Sequence, residues 1–152
     1  MMSAYPIKAA FAASTLALSV LAFAAPASAQ VVSGGTQGGV TGRDVSASTC
    51  GQGATDGSSI AVSGCADAEA RNGGTVDTNT RARTNERMGM QRSTAIARDE
   101  DERARSRTMT KVRQGEVVRS RTTSMYKARG EKPVREVVST KATPQKTTGK
   151  SK

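Results

Sequence analysis

After Phe23 the chain contains no leucine, phenylalanine or tryptophan. Tyr126 is the only aromatic residue beyond that point, so a core of large apolar side chains is out of reach. Folding must offset about 1–2 kcal/mol of backbone entropy per residue. Complete burial of a Val or Ile returns about 1.5–3 kcal/mol. The remaining apolar residues are mostly valine and methionine, with Ile60 and Ile96, scattered among Gly, Ser, Thr, Lys and Arg. On this balance the sequence predicts a mostly intrinsically disordered chain with no globular core and a low-complexity character.

The leucines and phenylalanines are confined to the first 29 residues. Lys8 is the only charged side chain before Arg43, an apolar run extends from Ala9 to Ala25, and Pro26 is followed by Ala27-Ser28-Ala29. A positive start, a short apolar core and small residues at Ala27 and Ala29 describe a signal peptide cut before Gln30. The densest apolar stretch, Leu16 to Ala25, is shorter than the roughly 20 residues of a membrane span. The sequence therefore predicts an exported protein, periplasmic or secreted, with no transmembrane segment after cleavage.

Beyond the leader the chain divides by charge. Residues 30–74 are rich in Gly, Ser and Thr and carry two arginines against four acids, a net of −2. Residues 75–152 carry 20 Lys and Arg against nine acids, a net of +11. Asymmetry of this kind marks a basic segment attracted to polyanions.

Within residues 30–74, Cys50 and Cys65 are the only cysteines, and an even pair in an exported chain reads as a disulfide. They flank Asp56-Gly57, a pair suited to a tight turn, with weakly alternating residues on either side. A small disulfide-closed β-hairpin loop near residues 44–65 is expected, its glycine-rich flanks acting as flexible linkers. In the basic segment, Thr75 to Gly89 reads as a polar linker. Residues 92–107 read as one polar helix, with Asp99 and Asp101 placed four residues before Arg103 and Arg105. Glu116-Val117-Val118 recurs as Glu136-Val137-Val138 around Arg129–Pro133, which suggests a marginal second hairpin. From Ser139 onward a disordered tail is expected.

The chain has no histidine, so the usual general base and every Ser-His or Cys-His arrangement are missing. The acidic run Asp99–Glu102 lacks the glycine and distal glutamate of a calcium loop. No cofactor and no enzymatic activity are expected. The positive signal is arginine spaced as Arg-x-Arg: Arg81 and Arg83, then Arg103, Arg105 and Arg107, then Arg119 and Arg121. Guanidinium groups grip phosphate and carboxylate in a two-point fork. Arg103, Arg105, Arg107, Arg119 and Arg121 are the candidate polyanion-binding positions, for anionic lipid, a cell-wall polymer or another polyanion. The alternative is a small structural or interaction protein that folds on a specific protein partner.

Overall fold

The computed structural model describes residues 31–115 and 117–144. The expected leader and its expected cleavage positions Ala27, Ala29 and Gln30 lie outside the described residues, as does the segment from residue 145. The described residues form eight antiparallel strands and no helix: β1 (Val32–Thr41), β2 (Val45–Thr55), β3 (Ile60–Ala70), β4 (Thr75–Thr84), β5 (Met88–Arg98), β6 (Glu102–Arg113), β7 (Val117–Ala128) and β8 (Val134–Ala142). Strands β1–β3 make one sheet in chain order and β4–β8 make a second. The two sheets pack face to face, with β2 over β5 and β6 and β1 over β6 and β7. The break in composition at Gly74–Thr75 falls where the chain passes from one sheet to the other.

This architecture overturns the expectation of a disordered, low-complexity chain without a core. The correction concerns what can serve as a core. Large apolar side chains are absent, yet small ones close the interior. At one end Val40, Val45, Ala47, Ala95, Ala97, Ala104 and Tyr126 form an apolar cluster, and at the other Val32, Val112 and Val118 form a second. Between them lies a belt of buried hydroxyls: Thr36, Thr49, Ser106, Thr108, Thr110, Ser120, Thr122 and Ser124. A buried polar group is costly only when unpartnered, and these partner one another.

The pairing has a direction. Ser106 Oγ lies 3.0 Å from the Gly38 carbonyl, which can only accept, so Ser106 donates there. A hydroxyl has one proton, so Ser106 must accept from Thr49 at 2.8 Å and from Ser124 at 3.1 Å. Thr49 in turn accepts from Thr108 at 2.8 Å, Thr108 from Thr122 at 2.6 Å, and Thr122 from Thr36 at 2.8 Å. Thr36 accepts from Ser120 at 2.7 Å, and Ser120 from Thr110 at 2.8 Å. A single ordered chain of donors thus crosses between the sheets and ends on backbone, a geometry in which each bond polarises the next.

Glycine permits the close approach that these short hydroxyls require. A Cβ on Gly51 would collide with Thr110 Oγ1 and sit 2.6 Å from Gln91 Oε1, far inside the roughly 3.5–4.0 Å of ordinary contact. The glycines expected to act as a linker ahead of the hairpin are strand residues, while Gly73 and Gly74 lie in the turn between β3 and β4. Residues 34–39 run through β1, paired with β2 from Gly34↔Gly53 to Gly39↔Ser48.

Three of the turns share one device. Asp56 Oδ1 accepts from the amides of Ser58 (2.9 Å) and Ser59 (2.6 Å), Asn85 Oδ1 from those of Arg87 (3.0 Å) and Met88 (2.7 Å), and Asp99 Oδ1 from those of Asp101 (2.8 Å) and Glu102 (2.5 Å). Such side-chain mimicry of a turn is characteristic of Asp and Asn. The amides of Ser59 and Ser58 hold the Asp56 carboxyl well below its usual range. The next residue, Gly57, has φ of 90°, where a side chain would be strained.

The remaining expectations are corrected at the same level. The hairpin around Asp56-Gly57 is not an isolated loop: its arms are β2 and β3, paired from Val45↔Ala70 to Thr55↔Ile60. The helix expected at 92–107 is strand: β5 ends at Arg98, Asp99–Asp101 turn the chain, and β6 begins at Glu102. The linker from Thr75 is β4, and the tail from Ser139 continues β8 to Ala142. The second hairpin is β7 and β8, stabilised by the three strands beside them.

Candidate polyanion-binding face

Side chains along a strand alternate between the two faces of its sheet. On β6 the residues Ala104, Ser106, Thr108, Thr110 and Val112 are buried. Arg103, Arg105, Arg107, Met109, Lys111 and Arg113 therefore point to the opposite side of the sheet, away from the core. The Arg-x-Arg spacing is the strand period itself. Arg119 and Arg121 alternate in the same way with buried Val118, Ser120 and Thr122 on β7.

Cross-strand register brings the five expected arginines onto one surface and adds others to them. Arg83, Met90, Lys111, Arg119 and Lys141 lie side by side across all five strands. The next row holds Arg81, Arg92, Met109, Arg121 and Ser139. Then follow Asn79, Thr94, Arg107, Thr123 and Val137, and after them Asp77, Ile96, Arg105, Met125 and Arg135. A last row aligns Thr75, Arg98, Arg103 and Lys127. Counting Arg113, beside Met88, the outer face of the five-stranded sheet carries fourteen cations and, among its strand positions, one acid, Asp77. The Arg-x-Arg spacing also picks out Arg81 and Arg83, but spacing along the chain does not single out Arg92, Arg98, Lys111, Arg113, Lys127, Arg135 and Lys141. Only register places them.

These cations are not neutralised from within. Among the described residues the ion pair formed is Arg129 with Asp101 at 3.4 Å, between two loops and away from the face. Arg103, flanked in register by Arg98 and Lys127, buries its Nε with no hydrogen-bond partner among the described residues. At one end of the face an open hollow of about 400 Å³ is lined by Arg87, Met88, Arg113 and Gln114, which extends the positive surface around the loops.

The opposite side of the molecule differs in kind. The outer face of the three-stranded sheet presents Ser33, Gln37, Ser46, Ser48, Gln52, Ser63, Asp67 and Glu69, with no cation on its strands. Cys50 and Cys65 are paired in register there and joined by a disulfide, with Cα atoms 5.0 Å apart. The bond ties β2 to β3 on the surface and leaves the core untouched.

The acidic run holds loops and strand ends together. Asp44, Asp99 and Glu102 bring carboxylate oxygens within 4.8 Å of one another. Asp99 is engaged by its own turn. Glu102 accepts from the Asp44 amide at 3.0 Å through one oxygen and from the Tyr126 hydroxyl at 2.7 Å through the other. Burial, and then the hydrogen bond and negative charge of Glu102, push the Tyr126 phenol well above its ordinary value of 10.0. Among the described residues no helix is long and apolar enough to cross a membrane. No protein-family model, curated protein or solved structure matches the chain.

Proposed function

We propose that the protein acts without catalysis, by holding a polyanion against the outer face of its five-stranded sheet. The Met1–Ala29 segment would direct it to act outside the cytoplasm, on anionic components of the cell envelope. The observation that carries this reading is the segregation of charge. Fourteen cations share one sheet face with a single acid, while the outer face of the other sheet has no strand cation. Cations serving only solubility gain nothing from collection on one side, where their mutual repulsion opposes folding. Arginine predominates among them and supplies planar two-point donors for phosphate or carboxylate.

The test separates position from net charge. One variant replaces Arg83, Arg92, Lys111 and Arg119 on the face with glutamine. A second replaces Arg43, Arg71, Arg129 and Lys132, which lie in loops off the face strands. Both remove the same charge. Binding to inorganic polyphosphate is measured across a salt series, because the slope of log affinity against log salt scales with the number of phosphates neutralised. The face variant is expected to bind far more weakly and with a shallower slope, the loop variant nearly as the parent. Equal effects, or no binding by the parent at low salt, would end this reading.

A second reading rests on the overhang of the larger sheet. β4 is exposed along its whole length, and Val76, Val134 and Val138 are 55%, 41% and 37% exposed on the inward side, which the smaller sheet covers only in part there. Such edge strands accept an added strand from a protein partner. Polyanion binding that survives replacement of Val76, Val134 and Val138 would separate the two roles.

A further inference from the structure

We propose that the polyanion held by this face is an anionic lipid bilayer, and that the protein lies on it in one orientation, five-stranded sheet down and disulfide-linked sheet outward. This assignment rests on the polyanion reading above and names its partner.

The dimensions of the face suit a plane better than a line. Strands stand about 4.8 Å apart and same-face residues about 6.8 Å apart along a strand, so the cationic patch measures roughly 20 Å by 27 Å. Electrostatic attraction fades beyond a screening length of about 8–10 Å. A linear polymer laid along one row leaves the cations of distant rows, such as Arg83 and Arg103, outside each other's reach. A charged plane engages every row at once.

The apolar residues of the face point the same way. Met90 lies between Arg83 and Lys111, Met109 between Arg92 and Arg121, and Met125 between Arg105 and Arg135. Unbranched thioether side chains adapt to irregular apolar surroundings. They gain nothing from a hydrated phosphate chain and gain burial at the boundary of headgroups and acyl chains. The face also has no aromatic residue on which a nucleobase could stack.

Orientation follows from the two unlike sides of the molecule. Packed sheets stand about 10 Å apart, so the outer face of β1–β3 lies beyond the reach of the membrane's surface potential. With Asp67 and Glu69 and no strand cation there, the reverse orientation is repelled.

The experiment uses the disulfide-closed chain from Gln30 to Lys152. It retains both sheets in full and removes the apolar Met1–Ala29 segment from the vesicle signal. The sequence has no tryptophan, so a single one is a clean fluorophore. Thr123→Trp places it in the middle of the cationic face, and Ser48→Trp places it on the outer face of the small sheet. Each variant is mixed with vesicles of phosphatidylglycerol and phosphatidylcholine carrying brominated acyl chains. The Thr123→Trp signal should shift to shorter wavelength and be quenched by bromine, while Ser48→Trp should bind as well and change in neither respect. Each cation removed from the face should cost on the order of fivefold in vesicle affinity, and phosphatidylcholine alone should not bind. Quenching of both probes or of neither overturns the orientation. Binding to polyphosphate without binding to anionic vesicles defeats the bilayer and leaves the polyanion reading standing. Failure on both defeats the two together.

Discussion

The ordered hydroxyl chain makes Thr108→Val a more damaging substitution than Thr110→Val, although the two look alike by burial and chemistry. Both threonines are fully buried on the inner side of β6, and valine has nearly the shape of threonine. Thr110 stands at the start of the donor sequence. Its hydroxyl donates to Ser120 and receives nothing from the chain. Its replacement removes one hydrogen bond and leaves an acceptor underused, a cost of about 0.5–1.5 kcal/mol. Thr108 stands in the middle. Its removal breaks two bonds, to Thr49 and from Thr122, and strands the Thr122 proton in a buried site. An orphaned buried donor adds about 1–3 kcal/mol, for a total near 2–4 kcal/mol. A second substitution, Thr122→Val, does not rescue the first, because the orphan moves to Thr36. Urea unfolding followed by far-ultraviolet circular dichroism, with Tyr126 fluorescence as a second probe, gives the differences. Equal destabilisation by Thr108→Val and Thr110→Val, within about 0.5 kcal/mol, or rescue by Thr122→Val, would refute the directional chain.

Three further outcomes are expected. Gly51→Ala should destabilise by about 1–3 kcal/mol through overpacking, since its Cβ meets Thr110, Gln91 and Thr108 within 2.6 Å, and Gln91→Ser in the same chain should recover part of that stability in a double-mutant cycle. Tyr126→Phe should cost about 1.5–3 kcal/mol for the bond to charged Glu102. Because the folded phenol is raised above its ordinary value of 10.0, its contribution is intact below that value and disappears as pH rises through the raised one, so alkaline titration of stability should be flatter in Tyr126→Phe. Replacing both Cys50 and Cys65 with serine should lower stability by up to about 3 kcal/mol, the entropy of a loop of about 15 residues, while nuclear Overhauser effects across Val45↔Ala70 and Thr55↔Ile60 persist.

Some of this protein is determined by local sequence. The cysteine pair, the turn propensity of Asp56-Gly57 and the change of charge at Gly74–Thr75 each depend on residues near one another in the chain. So do Arg103, Arg105, Arg107, Arg119 and Arg121 as binding candidates, although their period of two, which suits phosphate, is also the signature of a strand. That signature is obscured because the alternate positions, Ser106, Thr108 and Thr110, are not apolar, and a threonine scores as core only once its hydroxyl has a partner. Asp99–Glu102 misleads for a related reason. Acids placed four residues before arginines favour a helix in isolation, but Asp99 Oδ1 caps a turn between two long strands. Only the tertiary structure decides that the interior is filled by small side chains and hydroxyls, because partners in that chain of hydrogen bonds come from strands far apart in sequence, Thr36 and Thr122 being one case. The cationic face is decided there too: no short window of sequence contains Arg83, Lys111, Arg119 and Lys141 together, and it is the register of five strands that sets them in one row.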